Sequence, residues 1–340
     1  MEAKEQSLLT LIRKSFDDEE LRDLCFEIDV NYDDLPALGR AGKARELILA
    51  CEKDGRLPVL ITHLSQQRPH VAWPSTARPL TQAQLFDEVE KPLLFFEPET
   101  IEIPAGTFIM GREVEDGIDV YETPAHEVQL ERYWLGKYPV TNQQYAEFLK
   151  HNPSQDEPKK VGWFLREPPA DKLDHPVTAV SWHEALAYCQ WLSQQTDKAY
   201  RLPTEAEWEK AARGPESWLF TWGNEWEDGR CAYSSDDTVP VTTYPTGASF
   251  YGVVDLLGNV QEWTSTLWGS EAQEPNYFYP YQAQDGREDL EADLRLHRVY
   301  RIHRGGSYRS DPAELRTTSR GISNPASKLR WRGFRVALSK

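Results

Sequence analysis

Apolar residues recur at helical spacing through the first 68 residues of the chain. Leu21, Leu24 and Ile28 lie three or four positions apart, as on one face of a helix. The acidic run 17–20 precedes them, where it favours the positive end of the helix dipole. Similar runs indicate one helix before this segment, from about residue 7, and two after it, ending near residues 54 and 69. The pattern predicts a small all-α bundle over residues 1–68.

Proline interrupts the helical pattern over residues 69–95. Pro69, Pro74, Pro79 and Pro92 stand among polar residues there. Segments of this composition are semi-extended spacers. We therefore expect a linker between the bundle and the rest of the chain.

Residues 96–340 mix strand-like and helix-like patterns. Apolar positions alternate over residues 103–111 and continue over 122–128, as in half-buried strands. Thr141 begins one predicted helix, and residues 183–196 form another with one apolar face. The mixture predicts an α+β domain over this range.

The stretch from Arg201 to Gly214 carries the strongest local signals in this domain. Thr204 can accept hydrogen bonds from the free amides of a first helical turn, and Glu207, three residues later, completes a capping box. Trp208 and neighbouring alanines then face the core, and Gly214 can end the helix. The sequence predicts a short amphipathic helix with one large aromatic anchor.

Four blocks together resemble the formylglycine-generating-enzyme family, also called the sulfatase-modifying-factor domain. They are Arg201–Gly214, Asp255–Trp263, Arg304–Tyr308 and Gly333–Val336, and they stand in the order and spacing of that family. The resemblance implies a C-type-lectin-like fold with little regular structure over residues 96–340. The expected fold class is therefore α+β, with this domain preceded by a small all-α bundle.

The N-terminal segment resembles bacterial effector-associated domains, which are small death-like helical adaptors. The resemblance rests on Asp17–Glu27, Lys43–Leu47 and Gly55–Leu57. It implies a protein partner that carries a similar helical domain. A generic helical cap or dimerisation bundle is the alternative.

Two cysteines near the C-terminus carry the copper-dependent oxidase chemistry of the formylglycine-generating family. Here Ser310 stands roughly where the first would be, the second position falls near Glu314 or in a gap, and no cysteine follows Cys231. A hydroxyl cannot replace the soft thiolate ligand that copper(I) needs. We therefore expect no oxidase activity and no bound copper.

Related iron-dependent sulfur-transfer enzymes carry a His-rich iron motif. None of the eight histidines here forms an HxxxH pair, so no iron is expected. A copper oxidase or an iron-dependent sulfoxide-synthase-type enzyme stays the rival to a non-catalytic protein.

Composition narrows the environment and the partners. The 340 residues carry a net charge of −17, which argues against nucleic acid or an anionic membrane as the main partner. No apolar run approaches the ~18 residues of a membrane span, and the first residues lack the order of a signal peptide. We expect a soluble, cytoplasmic protein whose four cysteines are mostly buried free thiols.

One loop is a candidate calcium site. Asp255 and Glu262 flank a tight turn, and carboxylates with inward-facing carbonyls are the ligands that calcium prefers. The family's matching loop binds a structural Ca²⁺. The resemblance implies as ligands the Asp255 and Glu262 side chains with the Gly258 and Val260 carbonyls. A metal-free turn locked by Asn259 is the alternative.

Arginine dominates the C-terminal segment, in contrast to the acidic chain as a whole. Four arginines are expected to be internal struts of the fold: Arg304, Arg316, Arg320 and Arg335. The others alternate with aromatic and apolar residues, and they include Arg301, Arg309, Arg330 and Arg332. Because Arg and aromatic residues are enriched at protein-binding hot spots, we expect a binding face here.

The segment also resembles the variable region of proteins diversified by retroelements. Those proteins share this lectin-like fold and bind through their last forty or so residues. The frame here comprises Arg304–Ser307, Arg316, Arg320, Pro325 and Gly333–Arg335. The positions between are the candidate ligand-binding residues: Tyr308, Arg309, Ser310, Asp311, Glu314, Ser319, Gly321, Ile322, Ser323, Asn324, Ser327, Leu329, Arg330 and Trp331.

Together these observations predict a two-part recognition protein. The C-terminal face is expected to bind a ligand, most simply a protein, and the N-terminal bundle to recruit a signalling or conflict-system partner. A structural scaffold without a ligand is a third possibility.

Overall fold

The structure is a computed structural model, and it describes residues 7–32, 35, 39–75, 79–85, 94–113, 120–295 and 298–339. The chain divides into two compact units, residues 1–99 and 100–340. Parts of the predicted linker, residues 76–78 and 86–93, lie outside the described residues.

Helices dominate the described residues of the first unit. They are α1 (Leu8–Ser15), α2 (Asp18–Glu27), α3 (Gly39–Lys53), α4 (Leu57–Gln67) and the short α5 (Gln82–Leu85). Asp17 caps α2, and Glu20 returns the hydrogen bond in a capping box. The four helices predicted for this unit are confirmed. They could be predicted because the residues that cap a helix lie next to it in the sequence.

The core of this unit forms where the apolar faces of α1 to α4 meet. Leu21, Leu24, Leu47 and Leu60 are fully buried there. Trp73 and Leu85, from the segment after α4, pack on the same cluster. Helical structure and core contacts therefore extend beyond residue 68.

Short strands and long loops make up the second unit. Its described helices are α6 (Asn142–His151), α7 (Trp182–Thr196), α8 (Glu205–Arg213) and α9 (Ala292–Arg295). Its described strands are β1 (Thr100–Ile103), β2 (Gly106–Met110), β3 (His126–Leu130), β4 (Tyr133–Gly136), β5 (Ala199–Arg201), β6 (Gln261–Gly269), β7 (Tyr300–Arg304), β8 (Arg320–Ser323), β9 (Arg332–Phe334) and β10 (Ala337–Ser339).

The strands form two four-stranded sheets and a hairpin. One sheet has the order β1-β4-β10-β5, and the other has the order β8-β7-β6-β9. In the second sheet β9 runs parallel to β6, whereas β7 and β8 are antiparallel to their neighbours. The C-terminal segment supplies three strands of this sheet, so its path is set by pairing with β6.

The strand expected over residues 103–111 is two strands. β1 ends at Ile103 and β2 starts at Gly106, whose φ is 141°. The Lys210 ammonium donates to the Pro104 and Gly106 carbonyls at 2.7 and 2.9 Å. The side chain of a distant helix thus holds this break, which no local pattern reveals.

Helix α8 begins and ends where the sequence predicts. Thr204 and Glu207 form the capping box, and Gly214 ends the helix at a φ of 66°. The helix has the predicted polar and apolar sides, but all nine residues from Glu205 to Arg213 are buried. Its polar side faces other charged residues and not water.

Buried arginines of the C-terminal segment neutralise the acids of α8. Arg320 donates to both Glu205 oxygens at 2.9 and 2.8 Å. Arg304 donates to Glu209 Oε2 at 2.6 Å, and both of these side chains are 0% exposed. Buried charges are tolerated when they are paired and hydrogen-bonded, so α8 and the terminal segment stabilise each other.

The four cysteines lie within the described residues and are free and buried, as expected. None of the helices in the described part of the chain is both long and apolar enough to cross a membrane.

We expect Arg304→Met to destabilise the second unit by roughly 3–5 kcal/mol, because it leaves Glu209 buried without its main counter-charge. Arg309→Met, at an exposed position of the same segment, should change stability by no more than about 0.5 kcal/mol. Urea denaturation followed by tryptophan fluorescence measures both. Equal midpoints for the two variants would show that the buried pair contributes little.

Candidate functional site

The expected struts of the C-terminal segment are confirmed. Arg316 donates to Glu122 at 2.8 Å, and Arg335 donates to both Glu262 oxygens at 2.6 and 2.7 Å. Arg304 and Arg320 hold the acids of α8 as described above. The frame of this segment is therefore built from long-range ion pairs.

Two arginines expected on the binding face are buried instead. Arg301 lies 3.8 Å from the Trp182 ring centroid, and Arg332 lies 4.5 Å from that of Trp263. Their residues are 0% and 2% exposed. Both belong to strands of the second sheet, and their alternation with apolar residues reflects packing on aromatic rings.

The candidate ligand-binding positions separate into exposed and covered groups. The fully exposed ones are Arg309, Asp311, Glu314, Asn324 and Arg330. The partly exposed ones are Ser319, Gly321, Ile322, Ser323, Ser327, Leu329 and Trp331. Tyr308 and Ser310 are buried, at 5% and 8% exposure.

Gly321 has no room for a side chain. A Cβ atom there would lie 2.1 Å from Cε1 and 2.6 Å from Nδ1 of His303. His303 cannot retreat easily, because it is buried and its Nε2 lies 3.1 Å from Arg332 Nη2. Burial, together with Arg332, holds the pKa of this histidine well below its usual range, so the ring accepts this hydrogen bond. This packing argues against Gly321 as a ligand-binding position that other residues could occupy.

A surface cleft of about 320 Å³ brings the exposed end of the segment together with residues from earlier in the chain. Tyr308 and Arg330 line it from the C-terminal side. The other lining residues include Asn142, Val161, Lys172 and Asp237. The Lys172 ammonium and the Asp237 carboxylate form an ion pair at the cleft. The cleft is therefore mostly polar.

Sequence reasoning identified Tyr308 and Arg330 but missed the other lining residues named here. They lie more than 90 positions from Arg330 in the sequence, and each comes from a loop or a helix entrance. No spacing signal marks such positions, because the loops are brought together by the fold.

Arg309, Arg330 and Trp331 form an edge beside this cleft. The two arginines are exposed and Trp331 is partly exposed. The Arg309 guanidinium carbon lies 4.5 Å from the Trp331 ring centroid, as in a cation–π contact. The Trp331 backbone is fixed, since its carbonyl accepts from Gln261 N–H at 2.9 Å. Arg309 lies in a turn, where its N–H donates to Ser307 Oγ at 3.3 Å, and Arg330 and Trp331 directly precede β9. Cations and an aromatic ring held in this way can bind another molecule at low cost in entropy.

Ser310, which the sequence resemblance to the oxidases places roughly at their first cysteine, is part of the turn. Its hydroxyl oxygen accepts from Ser307 N–H at 3.3 Å, and its carbonyl accepts from Ser234 N–H. All the cysteines are buried, and burial raises the pKa of Cys231 to about 12. Their thiols are therefore protonated at neutral pH, which is the unreactive form.

The candidate calcium loop is buried and holds its two carboxylates differently. Both Glu262 oxygens accept from Arg335, and one also accepts from Trp208 Nε1 at 2.8 Å. Asp255 Oδ2 accepts from Asn259 Nδ2 at 2.7 Å. Burial raises the pKa of Asp255 to about 7 in spite of Asn259 and Arg335, and Glu262 adds to the rise. A bound cation would stabilise the charged form of Asp255, whereas Glu262 is already paired with the Arg335 guanidinium.

No cluster of three or more His, Cys, Asp or Glu side chains able to hold a metal occurs among the described residues. This does not test the calcium prediction, because two of its four ligands are backbone carbonyls. Calcium at this loop stays a prediction.

The fold and site define a lectin-like domain with a cleft and an edge at its C-terminal segment, preceded in the chain by a small helical domain. The chain belongs to the sulfatase-modifying-factor family: the Sulfatase-modifying factor enzyme 1-like domain matches residues 85–340. Effector-associated domain 7 matches residues 8–69. The resemblances to the formylglycine-generating-enzyme family and to effector-associated domains, and the expected fold class, are confirmed.

Known relatives have diverse names. The chain is 31% identical over 229 residues to inactive C-alpha-formylglycine-generating enzyme 2 of Mus musculus, covering 52% of this chain and 72% of that protein. It is 33% identical over 266 residues to serine/threonine-protein kinase pkn1 of Chlamydia caviae, covering 74% of this chain and 39% of the kinase. The chain thus spans about two fifths of the length of that relative.

Among solved structures, the chain is similar to Treponema denticola variable protein 1. The match has a TM-score of 0.53 and 21% identity, and it covers 72% of this chain and 95% of that structure. At this identity the similarity shows the fold. The family contains enzymes and proteins named inactive, so membership alone does not decide whether this chain is a catalyst.

We expect Gly321→Ser to destabilise the second unit by about 2 kcal/mol or more, because the new side chain overlaps the buried His303 ring. Asn324→Ser, at an exposed position of the same segment, should shift stability by less than about 0.5 kcal/mol. Thermal unfolding followed by circular dichroism compares the two. If Gly321→Ser is as stable as the parent, the packing does not prevent replacement, and Gly321 stays a candidate ligand-binding residue.

Proposed function

We propose that this protein is a non-catalytic recognition protein of the cytoplasm. Its C-terminal face binds a protein ligand, and its N-terminal domain recruits a partner that carries a similar helical domain. The observation that carries the proposal is the exposed edge of Arg309, Arg330 and Trp331 beside the cleft, on a segment whose backbone is fixed by buried ion pairs.

The chemistry of the edge favours a protein ligand. Tryptophan and arginine dominate binding energy at protein interfaces, particularly where they are pre-organised. The cleft is shallow and polar for a small apolar molecule, and binding pockets for such molecules are mostly apolar. The edge and cleft together suit a protein surface that offers an aromatic contact and acidic groups.

Ser310 supports a binding role over oxidase chemistry. Its buried hydroxyl stands where the family's oxidases place a cysteine, and a hydroxyl does not supply the thiolate needed for copper(I). Conversion of a cysteine in a sulfatase-type peptide to an aldehyde, with copper and oxygen present, would contradict the proposal.

The outer face of α2 supports the recruiting role of the N-terminal domain. Phe26 is 86% exposed there, although large aromatic side chains are usually buried. Asp18, Glu19, Asp23 and Glu27 are exposed on the same helix, and Arg22 is its one exposed cation. An aromatic side chain among acids is suited to a domain with a basic surface around an apolar depression.

We also propose that the exposed positions of the C-terminal segment differ between copies generated by a retroelement. The frame of ion pairs is separate from these positions, so replacements there leave the fold intact. A reverse-transcriptase gene and a near-copy of the C-terminal coding segment beside this gene would support this; a locus without them would contradict it.

We expect Trp331→Ala and Arg330→Ala each to weaken ligand binding at least tenfold, about 1.4 kcal/mol, because both side chains belong to the edge. The measurement is the Kd of the full chain for the protein that it captures from its own cells, once that protein is purified. Arg298→Ala, at another exposed arginine of the segment, is the matched control and should bind like the parent.

The same measurement separates the two halves of the proposal. Phe26→Ala should keep the ligand affinity of the parent and lose the partner of the N-terminal domain. If Trp331→Ala and Arg330→Ala bind the ligand as tightly as Arg298→Ala, the binding face lies elsewhere.

We further propose that Ca²⁺ binds the loop 255–262 through Asp255, Glu262 and the Gly258 and Val260 carbonyls, with a structural role. A buried carboxylate whose pKa is raised to about 7 gains most from a cation. Glu262 would have to coordinate Ca²⁺ while it stays paired with Arg335, so we expect the affinity for Ca²⁺ to be low.

Asp255→Asn tests this site. Since the folded-state pKa of Asp255 lies above its ordinary value, its contribution to stability is fully present below about pH 4 and is lost as the pH rises through 7. In chelator, the parent should therefore be less stable at pH 8 than at pH 5, by roughly 3 kcal/mol, and Ca²⁺ should restore stability at pH 8. The asparagine variant should show neither effect in thermal unfolding. A parent that ignores Ca²⁺ at pH 8 excludes the site.

A further inference from the structure

A tight turn beside the cleft exposes two adjacent apolar side chains. Phe164 is 73% exposed and Leu165 is 76% exposed. They lie two and three residues after Gly162, which lines the cleft together with Val161 and Arg330. Neither apolar side chain gains much from burial in the folded chain, so packing does not explain their presence here.

The backbone of this turn is held in an unfavourable conformation. Phe164 N–H donates to the Glu167 carbonyl, and Glu167 N–H donates to the Phe164 carbonyl, both at 3.0 Å. The two residues between them, Leu165 and Arg166, have φ values of 51° and 66°. Turns with positive φ at both central positions normally carry Asn or Gly, and a leucine there costs conformational free energy. Such outliers persist where the surroundings enforce them, and they cluster at functional sites.

Arg166 enforces the conformation from below. Its guanidinium donates to the carbonyls of Leu149, Asn152 and Gln155 at 2.5, 2.9 and 2.6 Å. Its backbone N–H donates to Glu157 Oε2 at 2.5 Å. The preceding residue, Trp163, is 8% exposed and lies edge-on to Tyr145. The turn is thus a rigid projection, and pre-organised apolar groups bind with little loss of entropy.

We infer that the Phe164–Leu165 turn is a second contact element of the ligand-binding face, which inserts into an apolar pocket on the protein ligand. This inference rests on the proposed function. The pocket is apolar because both side chains at the tip are apolar. Exposed cations (Lys160, Arg330) and exposed acids (Glu167, Asp171) both lie around the turn and the cleft, so complementary groups of both signs are expected at the border of the pocket.

A protein ligand explains the turn better than a membrane surface does. Two side chains bury little apolar area in a bilayer, and stable membrane association needs a larger apolar face or several basic groups. The chain also carries a net charge of −17, which opposes approach to anionic lipid. A shaped pocket, in contrast, can cover Phe164 and Leu165 completely and exclude water from them.

Site-specific photo-cross-linking tests the inference in cells that express the protein. A benzophenone amino acid replaces Leu165, Arg330 or Phe278 in three otherwise unchanged full chains. Phe278 is 57% exposed and is not among the cleft-lining residues, so it is the matched control. We expect positions 165 and 330 to capture the same protein, and position 278 not to capture it.

Binding of the captured protein, once purified, provides the second measurement. The double variant Phe164→Ser with Leu165→Ser should weaken its binding at least tenfold, whereas Phe278→Ser should leave it unchanged. Thermal unfolding of each variant shows that the fold is retained. A single variant, Leu165→Gly, relieves the backbone strain and should also weaken binding, since it removes an apolar contact.

The outcomes separate this inference from the proposed function. One contrary result is that position 330 captures a protein that position 165 does not capture; another is that the two positions capture different proteins. Either result shows that the turn does not contact the ligand, and the proposed role of the edge stands. Equal affinity of the double variant and the parent does the same. Capture from neither position overturns both. Sedimentation with phosphatidylglycerol vesicles that depends on Phe164 and Leu165 would overturn the choice of a protein ligand.

Discussion

Charge pairing across the interior holds the C-terminal segment to the helix α8. Glu205 and Glu209 would be very costly to bury alone, and so would Arg304 and Arg320. Each becomes tolerable because its counter-charge arrives from the other side at hydrogen-bond distance. Neither part can therefore take its native position without the other. A domain with short strands and long loops thereby acquires a defined path for its last forty residues.

This arrangement divides the C-terminal segment into inner and outer residues. The inner arginines are committed to acids on α8, on β6 and near β3, so they cannot serve a ligand. The outer residues Arg309, Arg330 and Trp331 contribute little to the frame, and exposed positions usually tolerate replacement. A binding face can therefore change its chemistry while the fold stays the same. Two of the candidate ligand-binding positions are held by packing: Ser310 is buried, and Gly321 lies against the buried His303 ring.

The N-terminal domain is built on another principle. Its core is an apolar cluster formed where short helices meet. Specificity is then left to the surface, where α2 presents Phe26 among acidic side chains. The face on α2 and the edge at the C-terminus are chemically opposite: one is acidic and the other basic. Surfaces of opposite charge favour different partners.

Local chemistry determined much of this protein from the sequence alone. The capping boxes at Asp17 and Thr204, the helical periods and the turn glycines each act within a few residues, so they can be read without a fold. The tertiary structure decided what the same residues face. Glu205 is paired with Arg320, 115 positions away, and this pairing turns an apparently amphipathic helix into a wholly buried one. The loop that carries the Phe164–Leu165 turn is distant in sequence from Tyr308 and Arg330, but its residues Val161 and Gly162 line the same cleft. Only the tertiary structure shows that these segments lie close together.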